Sequence, residues 1–169
     1  MRRIMIVAAA AASLLLAQGA QATLGRFNPD ALIKGGSAGP DFIGDNIDNT
    51  TGANQTARKR LEPGEKVMFE VGAENDGSEN DSFRFKGCRG NRRFRVSYTA
   101  DGMDVTDDIV AGKLTTLLVT PGLLVEGLFM KIKVKSRAEP GDRLACKVKV
   151  FSKTLIAEVD VVRGIVKVV

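Results

Sequence analysis

Residues 61–85, with the sequence LEPGEKVMFEVGAENDGSENDSFRF, contain the clearest structural pattern of the chain. In the first half of this stretch, apolar side chains occupy alternate positions, which is the two-residue period of a half-buried strand. These positions are Val67, Phe69, Val71 and Ala73. Turn-forming residues precede the strand at 63–64, Pro-Gly, and follow it over 75–82. The apolar pattern resumes at Phe83 and Phe85, so the stretch predicts a β-hairpin.

Short strand patterns separated by Gly, Pro and Asp turns recur through the rest of the chain. They cover residues 31–33, 94–98, 117–119, 130–134, 144–150 and 159–169. The basic cluster at 58–60, Arg-Lys-Arg, is interpreted as a solvated edge, and residues 104–112 fit either a helical turn or an irregular link. No long amphipathic helix is predicted. The expected fold class is therefore all-β, as an antiparallel β-sandwich of about seven or eight strands.

The order and spacing of these turns and strand starts resemble bacterial extracytoplasmic immunoglobulin-like domains. The motifs are Leu61-x-Pro63-Gly64, Asn75-x-Gly77, Asp81-Ser82-Phe83, Pro121-Gly122 and Pro140-Gly141. The resemblance covers roughly residues 29–169 and extends to galactosidase-associated and surface-repeat sandwich domains, which often carry an aromatic residue where Phe94 stands here. It implies an immunoglobulin-like β-sandwich with a structural or adhesive role. It carries over no catalytic residues.

Residues 1–22 have the three parts of a secretory signal peptide. Arg2 and Arg3 form the charged start, residues 4–16 the apolar run, and residues 20–22, Ala-Gln-Ala, the cleavage site. The predicted division is a signal peptide at 1–22, an N-terminal segment at 23–30 and the β-sandwich domain at 31–169. We expect a secreted or extracytoplasmic protein, in the periplasm or at the cell surface, with no membrane insertion after the signal is cleaved.

Both cysteines, Cys88 and Cys146, follow the predicted signal peptide. Because exported proteins meet an oxidising environment and the count is even, we predict a disulfide bond between them. Two unpaired thiols buried in strands are the alternative. A redox role is not expected, since the chain has no Cys-x-x-Cys spacing and no histidine that would lower a thiol pKa.

The chain contains no histidine. This composition excludes Ser-His-Asp and Cys-His catalysis and, with only two cysteines, the usual zinc sites. The acidic residues form no recognisable catalytic pair, and no Gly-rich phosphate loop opens a helix. We therefore expect a protein that is not an enzyme and that has no cofactor other than, at most, calcium.

Two loops rich in Asp and Asn are the candidates for calcium, an ion that takes six to eight oxygen ligands. The candidate ligands are Asp41, Asp45 and Asp48 in one loop and Asp76 and Asp81 in the other. The spacing of an EF-hand is not met, and turns use the same residue types for local hydrogen bonds. Ordinary turn chemistry is therefore the alternative interpretation.

Basic side chains form groups in a turn and on the polar faces of predicted strands. These are Arg89, Arg92, Arg93 and Arg95, then Lys131, Lys133 and Lys135, and the pair Lys147 and Lys149. Lysines at alternate strand positions keep an exposed sheet soluble and protect its edges. The functional interpretation is a surface that binds an anionic polymer by charge. Specific nucleic-acid recognition is not expected, because the chain has no Trp, one Tyr and no aromatic platform among the basic positions.

The leading functional hypothesis is a non-enzymatic secreted or cell-surface module that acts through contacts with another protein. The alternative is a module that binds anionic cell-surface glycans or wall polymers through its basic strand faces. A third class, an accessory domain of a secreted enzyme, would require a partner chain.

Overall fold

Nine β-strands and one α-helix form the regular structure of residues 25–169, which are the residues that this computed structural model describes. The strands are β1 (Pro29–Lys34), β2 (Thr56–Leu61), β3 (Lys66–Asn75), β4 (Phe83–Gly87), β5 (Phe94–Ala100), β6 (Met103–Asp104), β7 (Leu124–Val134), β8 (Arg143–Ser152) and β9 (Val159–Val168). The helix α1 covers Thr106–Ala111, and a single 3-10 turn covers Gly36–Ala38. The predicted signal peptide at 1–22 lies outside the described residues.

The strands form two sheets that pack face to face. The first sheet has the order β1-β3-β7-β5-β6 and is antiparallel throughout. The second has the order β2-β9-β8-β4, in which β2 runs parallel to β9 and the other pairs are antiparallel. The prediction of an all-β sandwich is confirmed, with a single parallel pair at one edge of the second sheet.

The core lies between the sheets and is built from alternate residues of the long strands. Its fully buried members include Phe69, Val71, Met130, Ile132, Val148, Val150, Val162 and Val166. Gly164 of β9 leaves space for the opposite sheet, since a Cβ at this position would lie 2.5 Å from Met130 Cε and 3.1 Å from the Phe69 ring. The predicted inward face of β3 is therefore correct, and its side chains reach the backbone of the second sheet.

The predicted hairpin at 61–85 is wrong, although both of its strands are present. β3 pairs with β1 and β7 in the first sheet, whereas β4 pairs with β8 in the second. At the end of β3, the Asn75 Nδ2 group donates to the backbone oxygens of Glu79 and Val119 at 2.9 and 2.8 Å, and the chain then crosses to the other sheet. Phe69 and Phe83 consequently face one core from opposite sheets.

Two further segments differ from the sequence-based expectation, and a third, which the sequence left open, forms one of the two expected structures. The basic cluster at 58–60 is exposed as expected, but it belongs to a strand, β2, that was not predicted. Residues 117–119 form no strand. Val119 forms an isolated bridge with Asp81, and Thr115, just before the segment, forms another with Arg84 of β4. The ambiguous segment 104–112 contains helix α1, which buries Ile109 and ends at Gly112 in a left-handed conformation.

Candidate functional site

Three carboxylates from distant parts of the chain meet at one end of the sandwich. Asp30 is on β1, Asp48 is in the loop between β1 and β2, and Asp160 is on β9. One oxygen atom from each carboxylate lies within 4.8 Å of the other two. Asp30 and Asp160 are buried, whereas Asp48 is exposed. We call these three residues the acidic corner.

Hydrogen bonds orient the Asp160 carboxylate from several directions. Its oxygens accept the backbone N–H groups of Ala31 and Asn49, both at 2.8 Å. The side-chain Nε2 group of Gln55 donates to both Asp160 oxygens, at 3.0 and 3.2 Å. Asp160 therefore connects β9 of the second sheet to β1 of the first sheet and to the loop that carries Asp48.

Two buried oxygen atoms beside Asp160 have no hydrogen-bond partner. Asp30 accepts the Asn46 backbone N–H through Oδ2 at 2.8 Å, but its Oδ1 atom has no partner. The Oε1 atom of Gln55 is also buried and unpaired, although its amide group contacts Asp160. Buried oxygens without partners are uncommon, because they lose water without gaining a hydrogen bond.

The loop that carries Asp48 lies tightly against β1 because of its local conformation. Gly44 has a φ of 116°, and a Cβ at this position would be 2.7 Å from the backbone oxygen of Ala31. Asn46 also has a positive φ, of 57°. These two residues turn the loop so that the N–H groups of Asn46 and Asn49 reach the buried carboxylates.

Burial and mutual repulsion shift the ionisation of this corner. Desolvation raises the pKa of Asp30 from 3.8 to about 8; the Asn46 N–H opposes this shift, and the carboxylates of Asp76, Asp160 and Asp48 add to it. Desolvation also raises the pKa of Asp160, against the hydrogen bonds that it accepts. Every charged group that perturbs Asp30 is itself an acid, so the corner has a deficit of positive charge.

The acidic corner contains one of the five calcium ligands proposed from the sequence. Asp48 is a member. Asp45 and Asp76 are not members; they lie near Glu74, where their charges add to the rise in pKa that desolvation mainly causes. Asp41 and Asp81 are not members, and Asp81 instead accepts the Thr154 hydroxyl at 2.8 Å. The sequence reasoning missed Asp30, Asp160 and Gln55. A usable signal was the isolated acid in the apolar run 159–162, Val-Asp-Val-Val.

The predicted disulfide between Cys88 and Cys146 is present, with a Cα–Cα distance of 5.4 Å. It joins the end of β4 to β8 within the second sheet. Tyr98 of β5 reaches it from the first sheet, since its hydroxyl donates to the Cys88 backbone oxygen at 3.1 Å and contacts Cys146 Sγ at 3.2 Å. A disulfide is typical of oxidising compartments and indicates an extracytoplasmic protein.

Each sheet carries three exposed basic side chains side by side on neighbouring strands. In the first sheet, Lys133 of β7 lies between Lys66 of β3 and Arg95 of β5. In the second sheet, Lys167 of β9 lies between Arg60 of β2 and Arg143 of β8. All six are exposed, and none forms an ion pair with another residue of 25–169. We call them the first and second cationic rows.

The basic residues singled out from the sequence separate into three kinds. Arg95, Lys131 and Lys133 share the outer face of the first sheet and line one shallow groove with Lys66. Arg93 instead pairs with Glu139 and Asp142 at 3.3 and 3.1 Å, and Lys135 donates to the Asn91 backbone oxygen at 2.7 Å. Arg89 and Arg92 are exposed in the connection between β4 and β5, and Lys147 and Lys149 are exposed on β8.

Three leucines are exposed close together between α1 and β7. The exposed fraction is 89% for Leu117, 64% for Leu118 and 48% for Leu123. They border a groove of about 440 Å³ that reaches the buried side chains of Val71 and Phe85. We call these three residues the leucine surface.

Comparison with solved structures gives one match that supports the fold and further matches of weaker similarity. A family 123 glycoside hydrolase from Clostridium perfringens contains a similar region, with a TM-score of 0.51 and 10% identity, covering 83% of this chain and 27% of that chain. The N-terminal domain of PorA matches with a TM-score of 0.47 and 12% identity over 82% of this chain and 96% of that domain. BcpA, the major pilin subunit of Bacillus cereus, matches with a TM-score of 0.42 and 12% identity over 83% and 40% of the two chains.

The chain thus spans about a quarter of the length of the glycoside hydrolase that it matches. No protein-family model matches the chain, and no curated protein sequence does. Within residues 25–169, no helix has the length and apolar character needed to cross a membrane. At these identities the similarity concerns the fold alone.

Proposed function

We propose that this chain is a non-enzymatic, extracytoplasmic immunoglobulin-like module that acts by binding another protein. The leucine surface is the contact site. The supporting observation is the exposure of Leu117, Leu118 and Leu123 around one apolar groove. Single exposed apolar residues are normal on soluble proteins, whereas a contiguous apolar patch marks an interaction site.

The lining of the groove defines the chemistry of the partner. Its walls include the apolar side chains of Leu114, Val125 and Leu128, which suit a single apolar anchor. Two exposed acids, Asp101 and Glu126, also line it. The expected partner is therefore a protein segment that offers an apolar side chain next to a cationic one, because opposite charges at the rim favour association.

The test is retention of a partner from an envelope extract on the immobilised module, followed by identification of the retained protein by mass spectrometry. The variant Leu117→Ser with Leu118→Ser removes the two most exposed leucines. We expect it to lower the retained amount at least about tenfold with an unchanged melting temperature, because truncating apolar hot-spot residues costs binding energy.

The matched control for this test is Ile156→Ser, since Ile156 is 65% exposed and lies outside the groove. It should retain the same protein as the unsubstituted chain. Equal retention by the double leucine variant, or the absence of any protein that distinguishes the two variants, would contradict the proposal.

A second candidate function, binding of an anionic glycan or wall polymer, is favoured by the cationic rows. The Cβ atoms of residues opposite each other on neighbouring strands are about 5 Å apart, and like charges in directly opposite positions destabilise a sheet. No residue of either row forms an ion pair within the described part of the chain, and the one acid in the groove of the first row is Asp104. A polyanion lying across the three strands of a row would offset this repulsion.

A further inference from the structure

We propose that the acidic corner is a calcium site, in which Asp30, Asp48 and Asp160 bind the ion together with the side-chain oxygen of Gln55. This inference concerns different residues from the leucine surface and the cationic rows. It is independent of the protein-binding function.

The separation of the carboxylate oxygens fits one shared calcium ion. Ligand oxygens lie 2.3–2.6 Å from calcium, so two ligands on opposite sides of the ion are about 5 Å apart. The oxygens of Asp30, Asp48 and Asp160 are all within 4.8 Å of one another. A single ion between them can therefore contact all three.

The unpaired buried oxygens point to a ligand, and the one on Gln55 belongs to a residue outside the acidic cluster. Asp30 and Gln55 are both 0% exposed, and each has one side-chain oxygen without a partner. An amide oxygen is an ordinary calcium ligand, and the amide of Gln55 is held against Asp160 by its Nε2 group. A bound cation would satisfy both oxygens at once.

The surroundings of the site hold the ligands in place before an ion binds. The second oxygen of Asp30 is fixed by the Asn46 N–H, and Asp160 is fixed by the N–H groups of Ala31 and Asn49. Hydrogen bonds of this kind orient ligating carboxylates in metal sites. No Lys or Arg of the described residues forms an ion pair with the three carboxylates, so a bound ion has no basic side chain to displace.

Calcium fits this arrangement better than magnesium does. Magnesium requires nearly ideal octahedral geometry and keeps several of its waters, whereas calcium accepts irregular sets of protein oxygens. Asp48 is exposed, so the ion has access from solvent and water can complete its coordination. The bound ion would connect both sheets to the loop that carries Asp48.

The test is isothermal titration of calcium into protein that has been treated with a chelator. The informative variant is Asp48→Asn, because Asp48 is exposed and its replacement leaves the buried ligands intact. Asp41→Asn is the matched control, since Asp41 is an exposed acid of the same loop outside the acidic corner. We expect one ion per chain for the unsubstituted protein and the control, and at least about tenfold weaker binding for Asp48→Asn.

Two further measurements do not depend on a variant. At a calcium concentration 100 times the dissociation constant, the equilibrium constant for unfolding should fall about 100-fold. Calcium should also protect the loop at 44–49 from proteolysis. The proposal is overturned if about 10 mM calcium, tenfold above the weakest dissociation constant typical of extracellular calcium modules, has no effect on either. Unchanged binding by Asp48→Asn, or equal affinity for magnesium, would also overturn it.

Discussion

Asp160 takes the place of a neighbouring strand at the free edge of β1. β1 is the edge strand of the first sheet, and an edge strand has backbone N–H groups without a ladder partner. The Asp160 carboxylate accepts one of them, from Ala31, which lies 129 positions away in the chain. A charged residue in an apolar strand thus satisfies the backbone of the opposite sheet, independently of any ion.

Phe69 is the residue whose removal should damage the core most clearly. Its ring is fully buried and lies against Gly164 of the second sheet. We expect Phe69→Ala to lower the free energy of unfolding by about 3–5 kcal/mol, because it removes buried apolar surface and leaves a cavity. Urea denaturation measures the change.

Met68 is the matched control for this prediction, since it is the preceding residue of β3 and is 56% exposed. Met68→Ala should change the free energy of unfolding by less than about 0.5 kcal/mol. Glu70 serves less well as a control, because its carboxylate lies 3.1 Å from Lys34 Nζ and also accepts the Gly127 N–H. Similar losses in the free energy of unfolding for Met68→Ala and Phe69→Ala would contradict the assignment of the inward face of β3.

At the scale of elements, β4 and β5 meet across the core although they belong to different sheets. A Cβ at Gly87, the last residue of β4, would lie 2.5 Å from the Tyr98 hydroxyl and 2.6 Å from its Cζ atom. Burial raises the pKa of Tyr98 above its usual value, so this hydroxyl keeps its proton and donates to the Cys88 oxygen. The contact connects β5 to the disulfide of the second sheet.

We expect Gly87→Ala to destabilise the protein by about 1–3 kcal/mol, because the added methyl group overpacks the contact between β4 and Tyr98. The expected loss of stability comes from steric crowding alone, since Gly87 does not have a positive φ. Thermal or urea unfolding measures it.

Gly25→Ala provides the control, because a Cβ at Gly25 would have no atom within 4 Å. That substitution should be nearly silent. If Gly87→Ala were equally silent, β4 and β5 would be farther apart than the structure places them.

On the scale of the whole molecule, the two ends of β3 lie in regions of opposite charge. Along β3, Lys66 belongs to the first cationic row, whereas Glu74 lies near Asp76 and Asp45. These two ends of the strand are about 27 Å apart, from the rise per residue of a strand. At physiological salt the Debye length is about 8 Å, so the two charged regions act independently.

The first cationic row gives the prediction for polymer binding. Replacing Lys66, Arg95 and Lys133 with Gln should weaken binding of a model polyanion such as heparin, because it removes three charges from one site. Binding is measured by titration at 0.01 M and at 0.15 M salt. Exposed ion contacts weaken as the Debye length falls from about 30 Å to about 8 Å. Binding that persists at the higher salt therefore indicates a site with specific contacts in addition to charge attraction.

The control removes the same number of positive charges elsewhere. Lys113, Arg137 and Lys153 are exposed and belong to neither row. Replacing these three with Gln should affect binding less than the change to the row does. Equal effects would mean that net charge alone attracts the polymer, and no binding at 0.01 M salt would eliminate the polymer hypothesis.

The sequence by itself determined which residues are buried within most strands, where the main turns lie and which cysteines pair. Burial and turns follow from local sequence patterns, and the cysteine pairing follows from the number of cysteines. Alternation at 67–73 fixes the buried face of β3, Pro-Gly pairs fix turns such as the one where Gly64 has a φ of 95°, and two cysteines allow one intramolecular bond.

Only the tertiary structure decided which strands are neighbours and where the acidic corner forms. Alternation identifies the face that a strand buries but not its hydrogen-bond partner, so β3 and β4 looked like a hairpin and instead face each other across the core. The strand β2 escaped detection because a polar edge strand has little apolar alternation. The acidic corner could not be predicted because Asp30 and Asp160 become neighbours only when β1 and β9 join different sheets. Burial then raises the pKa of both carboxylates, an effect that does not follow from the spacing of residues in the sequence.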